Sequence, residues 1–91
     1  MRTADEILAE LAGVVRRTFP DRDFPDAVGA GTRVFGDLGL ASIDVVVLAE
    51  KLEVHYGRKL PFGAFLKGLR DRGADDLEAG ELVTFLQQHT G

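Results

Sequence analysis

The sequence predicts an all-α fold, a four-helix bundle with one long loop between the first and second helices. Three observations predict it. Apolar residues recur at helical spacing in four separate segments. No stretch alternates apolar and polar residues between hairpin turns. The chain has 91 residues and no cysteine, so a modest core must form without disulfide staples, and a small bundle is the economical way to build one. The length suits a single domain spanning residues 1–91.

The first helix is predicted from Thr3 to Phe19. Thr3 and Glu6 have the spacing of a capping box, in which the threonine accepts from the N3 amide and the glutamate reaches back to the cap. Asp5 and Glu6 also suit the positive end of the helix dipole. Ile7, Leu11, Val14, Val15 and Thr18 form the apolar stripe, widened by Leu8 and Phe19. Pro20 ends the helix, because proline disfavours helical backbone in the residue before it.

From Pro20 to Ala41 the periodicity dissolves among Pro20, Pro25, Gly29, Gly31, Gly36 and Gly39. Loops of this length are uncommon in small domains and are often functional. Phe24, Val28, Val34, Phe35, Leu38 and Leu40 are apolar enough to pin it down, so the expectation is an ordered crossover.

Ser42 opens the second helix, which runs to Tyr56. Its predicted apolar face is Ile43, Val46, Ala49, Leu52 and Tyr56, with Val45 and Leu48 beside it. Gly57 is the predicted C′ residue, where positive φ costs glycine nothing. Pro61 fits the first turn of a third helix, with Phe62, Phe65, Leu66 and Leu69 on one stripe. Gly73 is its stop. Asp75 or Asp76 then caps a last helix that carries Leu77, Leu82, Val83, Phe85 and Leu86.

Composition excludes several functions. The formal net charge is -4, and a nucleic-acid binder needs a basic patch. Acids at Asp5 and Glu6 interrupt the stretch where a secretory signal would be apolar. The longest apolar run, Val45-Val46-Val47-Leu48-Ala49, falls far short of a membrane span. The expected location is cytoplasmic. There is no GxxxxGK, GxGxxG or HExxH. His55 and His89 lie on different predicted helices, which makes a poor metal site. Nothing resembles a nucleophile elbow, so no catalytic residues are assigned.

One segment carries chemistry: Asp37-Leu38-Gly39-Leu40-Ala41-Ser42-Ile43-Asp44. A glycine-containing turn delivers a serine hydroxyl to a helix N-terminus. Taken locally, Ser42 reads as an N-cap, a role serine favours, and its replacement by alanine would then cost ~1 kcal/mol.

This segment resembles the attachment motif of the acyl carrier protein family, commonly Asp-Ser-Leu after a glycine-containing turn. Val46, Leu48, Leu52, Glu53 and Tyr56 follow in matching register, and Leu60-Pro61 resembles the segment after the family's second helix. The resemblance covers nearly the whole chain. It implies that Ser42 bears 4′-phosphopantetheine, installed from coenzyme A by a phosphopantetheinyl transferase. A helix N-terminus suits the phosphate. The resemblance further implies a monomeric carrier, not an enzyme. Acyl groups would ride as thioesters between loading, ketosynthase or acyltransferase-type partners, in polyketide, fatty-acid-like or other secondary (antibiotic) biosynthesis. Its partner surface would be Asp37, Ile43, Asp44, Val47, Glu50 and Glu53, where complementary charge speeds encounter.

Three departures accompany the resemblance. Ala41 stands where the family often has Asp before the serine. Val47 and Val54 replace frequently acidic positions, which suggests specialised partners. The segment from Phe62 to Asp76 is longer than usual, as extra core, an added interaction surface or a lid beside the acyl chain. Two other readings stay open: an aminoacyl or peptidyl carrier, and a helical interaction module without cofactor.

Overall fold

The computed structural model describes residues 3–24 and 27–90. Pro25, one of the predicted loop breakers, lies outside the described residues. Four helices follow in order: α1 Ala4–Thr18, α2 Ser42–Tyr56, α3 Phe62–Asp71 and α4 Ala79–Thr90. Among the described residues there is no strand, only an isolated bridge between Arg33 and Glu78. The all-α bundle with a long first connection is the architecture the periodicity predicts.

α1 begins where the capping box places it. The Thr3 hydroxyl oxygen accepts from the Glu6 amide at 3.2 Å and the hydroxyl donates to Glu6 Oε1 at 3.3 Å. Ile7, Leu11, Val14 and Val15 are buried, and α1 packs against both α4 and α2. Phe19 lies just past the helix and is only half-buried.

α2 buries the predicted Ala49 and Leu52 and half-buries Tyr56, but its buried face is turned toward Val45 and Leu48 and away from Ile43 and Val46. Val45, Leu48, Ala49 and Leu52 enter the core, whereas Ile43 and Val46 stay 68% and 45% exposed. The helix is apolar on almost every side, so spacing alone cannot select the face that α1 covers. Gly57 closes it at φ 67°, with the Arg58 amide donating to Glu53 O and the Gly57 amide to Val54 O.

Pro61 precedes α3 instead of occupying its first turn. Its φ and ψ of -79° and 58° are those of an inverse γ-turn, closed by the Phe62 amide donating to Leu60 O at 2.8 Å. Phe62 and Leu69 are buried, while Phe65 and Leu66 are half-buried against the core. The extended Phe62–Asp76 region is therefore partly core. Gly73 stops the helix in a Schellman arrangement, with Ala74 N donating to Leu69 O and Gly73 N to Arg70 O.

α4 starts later than predicted. Leu77 is fully buried but belongs to the connector before the helix. Asp76 does not cap α4 either. Glu81 fills that place by accepting from the Glu78 amide at 3.2 Å. The connector is drawn away from the helix because it pairs with the long loop. Val34 N donates to Leu77 O, Ala79 N to Thr32 O and Gly80 N to Ala30 O, each at 2.7 Å. A Cβ on Gly80 would meet Ala30 O at 2.9 Å, so this approach requires glycine. With Val34, Leu38 and Leu40 buried, the described part of the loop from residue 27 onward is pinned to the core as expected.

Candidate functional site

The loop reaches α2 through a tight helical turn. The Asp37 and Leu38 amides both donate to Arg33 O at 3.0 Å, and the Asp37 carboxylate accepts from the Arg33 amide at 2.8 Å. Gly39, at φ 70°, reverses the chain so that Leu40 enters the core and Ala41 is extended. A side chain with a Cβ would strain that reversal. The next residue is Ser42, the only serine of the chain.

Ser42 is not the N-cap. Ala41 holds that place, and Ser42 is the first helical residue. The capping duty falls to Asp44, whose Oδ2 accepts from the Ala41 amide at 2.8 Å. Ser42 is exposed, and no hydrogen bond engages its hydroxyl among the described residues. The outcome is a solvent-facing hydroxyl on the first turn of a helix, where unpaired amides and the dipole favour an anion.

A cavity of about 350 Å³ adjoins Ser42. Val45 and Val46 of α2 and Leu66 and Leu69 of α3 form its apolar walls. Phe35 from the loop and Ala74 from the connector also line it, as do the polar side chains of Arg70 and Asp76. Val46, placed in the core by its spacing, thus lines this cavity, and α3 is its wall.

Asp76 fixes the loop beneath the cavity. Its Oδ1 accepts from the Phe35 amide at 3.0 Å and the Leu77 amide at 2.7 Å, and its Oδ2 from the Gly36 amide at 3.0 Å. Burial alone would push this carboxyl up, but those amides, with Arg33 close by, outweigh it and hold it below the usual carboxylate range. Asp44 is likewise held low, first by hydrogen bonds from Arg22 and then by the Ala41 amide. Both folded-state values lie below the unfolded one, near ~3.9. Their contribution is therefore complete above about pH 4 and is lost as pH falls from there through the folded values. We expect a melting temperature that is flat from neutral pH to about pH 5 and falls below pH 4. Asp76→Asn should flatten that acid limb while lowering stability at neutral pH, as read by circular dichroism across pH.

The other predicted surface residues separate into two groups. Ile43 and Glu50 are exposed and Val47 is half-buried. The acids Asp37, Asp44 and Glu53 are engaged internally. Glu53 Oε2 accepts from the Leu60 amide at 2.8 Å, tying α2 to the turn before α3. Arg22 forks onto Asp44, with Nη1 at 2.8 Å from Oδ2 and Nη2 at 3.2 Å from Oδ1. Among the described residues the exposed large hydrophobics, Ile43, Val46 and Val54, all lie on α2. The face is therefore more apolar and less acidic than the count of acids implies. Neither Arg22 nor Asp76 was predicted at the site. Their partners on α2 and the long loop lie 22 to 41 residues away, and flanking acids at Asp21, Asp23 and Asp75 make both look like ordinary solvated charges.

Over 58 residues the chain is 40% identical to the anthracycline acyl carrier protein DauA of Streptomyces sp. (strain C5), covering 64% of this chain and 69% of that protein. The anthracycline acyl carrier protein DpsG of Streptomyces peucetius matches with the same identity and coverage. No protein-family model and no solved structure matches the chain.

Proposed function

The chain belongs to the acyl carrier protein family, and on that premise we propose that Ser42 bears 4′-phosphopantetheine and carries acyl intermediates of a polyketide-type secondary-metabolite pathway. The observation that carries this reading is the position of Ser42. It is the first helical residue, exposed, with its hydroxyl unengaged and its cap supplied by Asp44.

Installation is a nucleophilic displacement at phosphorus. Ser42 Oγ loses its proton and forms a phosphodiester, displacing 3′,5′-ADP from the pyrophosphate of coenzyme A on a phosphopantetheinyl transferase. The chain's own contribution is presentation. The Gly39 turn sets the approach, Asp44 closes the first turn, and the free amides of the helix N-terminus would hold the phosphate. When attached, the arm supplies the thiol on which acyl groups ride, which a chain without cysteine cannot provide. The protein acts as a substrate for partners of acyl-loading, ketosynthase or acyltransferase type. Tethering raises the effective concentration of the cargo at each of them.

The cavity beside Ser42 is the seat we assign to the acyl group. Its walls are apolar, and its volume of about 350 Å³ suits a small to medium chain. Leu66→Trp, which crowds that space, should raise the hydroxylamine cleavage rate of a medium-chain thioester toward that of an acetyl thioester. An unchanged rate would remove the cavity from the cargo path.

The test of the function is intact mass after incubation with coenzyme A, magnesium and a broad-specificity phosphopantetheinyl transferase, followed by peptide mapping. A gain of one phosphopantetheine on the peptide containing Ser42 is expected. A folded, unmodified protein that gains nothing favours a helical interaction module that docks through Ile43, Val46 and Val54.

A further inference from the structure

Every catalyst that acts at Ser42 must approach the first turn of α2. Asp44 is the one acid in that turn, and it is not presented to solvent as a free charge. The Arg22 guanidinium grips both its oxygens, and its side chain is only 15% exposed. Arg22 is itself held in place. Its amide donates to Phe19 O at 3.2 Å, and its guanidinium carbon lies 4.9 Å from the centroid of the Phe19 ring. A stub of loop directly after α1 thus neutralises the carboxylate beside the serine. The large outward-facing side chains along α2 are apolar, Ile43, Val46 and Val54, and the exposed acid of the helix, Glu50, stands two turns beyond the serine.

We propose that Arg22 is a specificity-determining residue, which withdraws Asp44 from incoming enzymes so that partners select this carrier by its apolar α2 face. The inference rests on the assignment of Ser42 as the carrier serine. Its logic is that of discrimination by exclusion. An enzyme that offers a basic residue to the turn beside the serine meets a carboxylate already paired and an arginine of its own sign. An enzyme with an apolar docking surface loses nothing. The fork geometry matters, because lysine cannot engage both carboxylate oxygens in this way.

The test compares wild type, Arg22→Gln, Asp44→Asn and the double variant as substrates for phosphopantetheinylation. Two transferases are used, one with a basic and one with an apolar carrier-docking surface, each with coenzyme A and magnesium. With the basic enzyme, Arg22→Gln should raise kcat/KM about fivefold at low ionic strength, the size of an exposed ion pair newly available to the partner. The gain should vanish at high salt, where such charges are screened. It should also vanish in the double variant, and the apolar enzyme should show no gain. No change with the basic enzyme overturns the proposal. A gain that survives in the double variant also overturns it, because the loop would then simply have loosened. If Arg22→Gln does not fold, Arg22→Lys keeps the charge without the fork and should show a smaller gain; a folded Arg22→Lys with wild-type kinetics sinks the idea. Wild type that takes no phosphopantetheine from either enzyme is a different failure, that of the Ser42 assignment, and the proposal falls with it.

Discussion

Ser42→Ala is expected to take up no phosphopantetheine where the wild type is fully converted, and to melt within about 3 °C of it. The first half follows from chemistry. On the proposed attachment at Ser42 the attacking group is a serine hydroxyl, and the chain holds no second serine to substitute for it. The second half follows from the position of the residue. As an N-cap, Ser42 would satisfy a helix amide, and losing it would cost ~1 kcal/mol. It is instead the first helical residue, exposed, and the cap contact runs from the Ala41 amide to Asp44. Alanine is a good helix former at such a site, so the cost shrinks to a few tenths of a kcal/mol. Intact mass and a thermal melt on the same sample check both halves. A variant that still gains the group would move the attachment site to another residue. A melting point lower by about 8 °C or more would restore a structural role to the hydroxyl.

Leu77→Ala should remove about 3–4 kcal/mol of stability. Leu77 is fully buried, and its removal leaves a cavity between the long loop and the helices. The site cannot collapse easily. On the connector Asp76 binds Phe35 and Gly36, while the Leu77 carbonyl holds the Val34 amide at 2.7 Å. Both loop and connector are therefore pinned around the space the side chain fills. Domains of this size have about 5–15 kcal/mol in total, so the variant should unfold at much lower urea. The dependence on urea should keep the wild-type slope if the folded state stays compact. A loss under about 1 kcal/mol would mean that the loop follows the truncated side chain inward. Because the same connector closes the cavity beside Ser42, this variant should also protect a medium-chain thioester less well.

Much of this molecule is legible locally. Thr3 and Glu6 mark the start of α1, and Gly57 and Gly73 end α2 and α3 in the structure as their positions predict. These signals work because capping and chain reversal are settled among residues three to six apart. The serine at the head of α2 is equally local, as is the glycine turn that presents it. The differences are of another kind. Spacing places Ile43 and Val46 on the buried face because α2 is apolar nearly all round, and Leu77 reads as part of α4 because it directly follows the capping acids Asp75 and Asp76.

Four helices, a loop pinned by its apolar residues and the placement of Ser42 at a helix N-terminus are all written locally, since each depends on periodicity, capping and turn chemistry within a few residues. Tertiary structure alone decided which side of α2 faces α1 and which stays outward as Ile43, Val46 and Val54. It also decided that Asp44 is spoken for by Arg22, and that Asp76 clamps the loop rather than capping α4. The reason is physical. A carboxylate has the same local preferences wherever it stands, and only the packing of distant segments settles which amides and which guanidinium come within its reach.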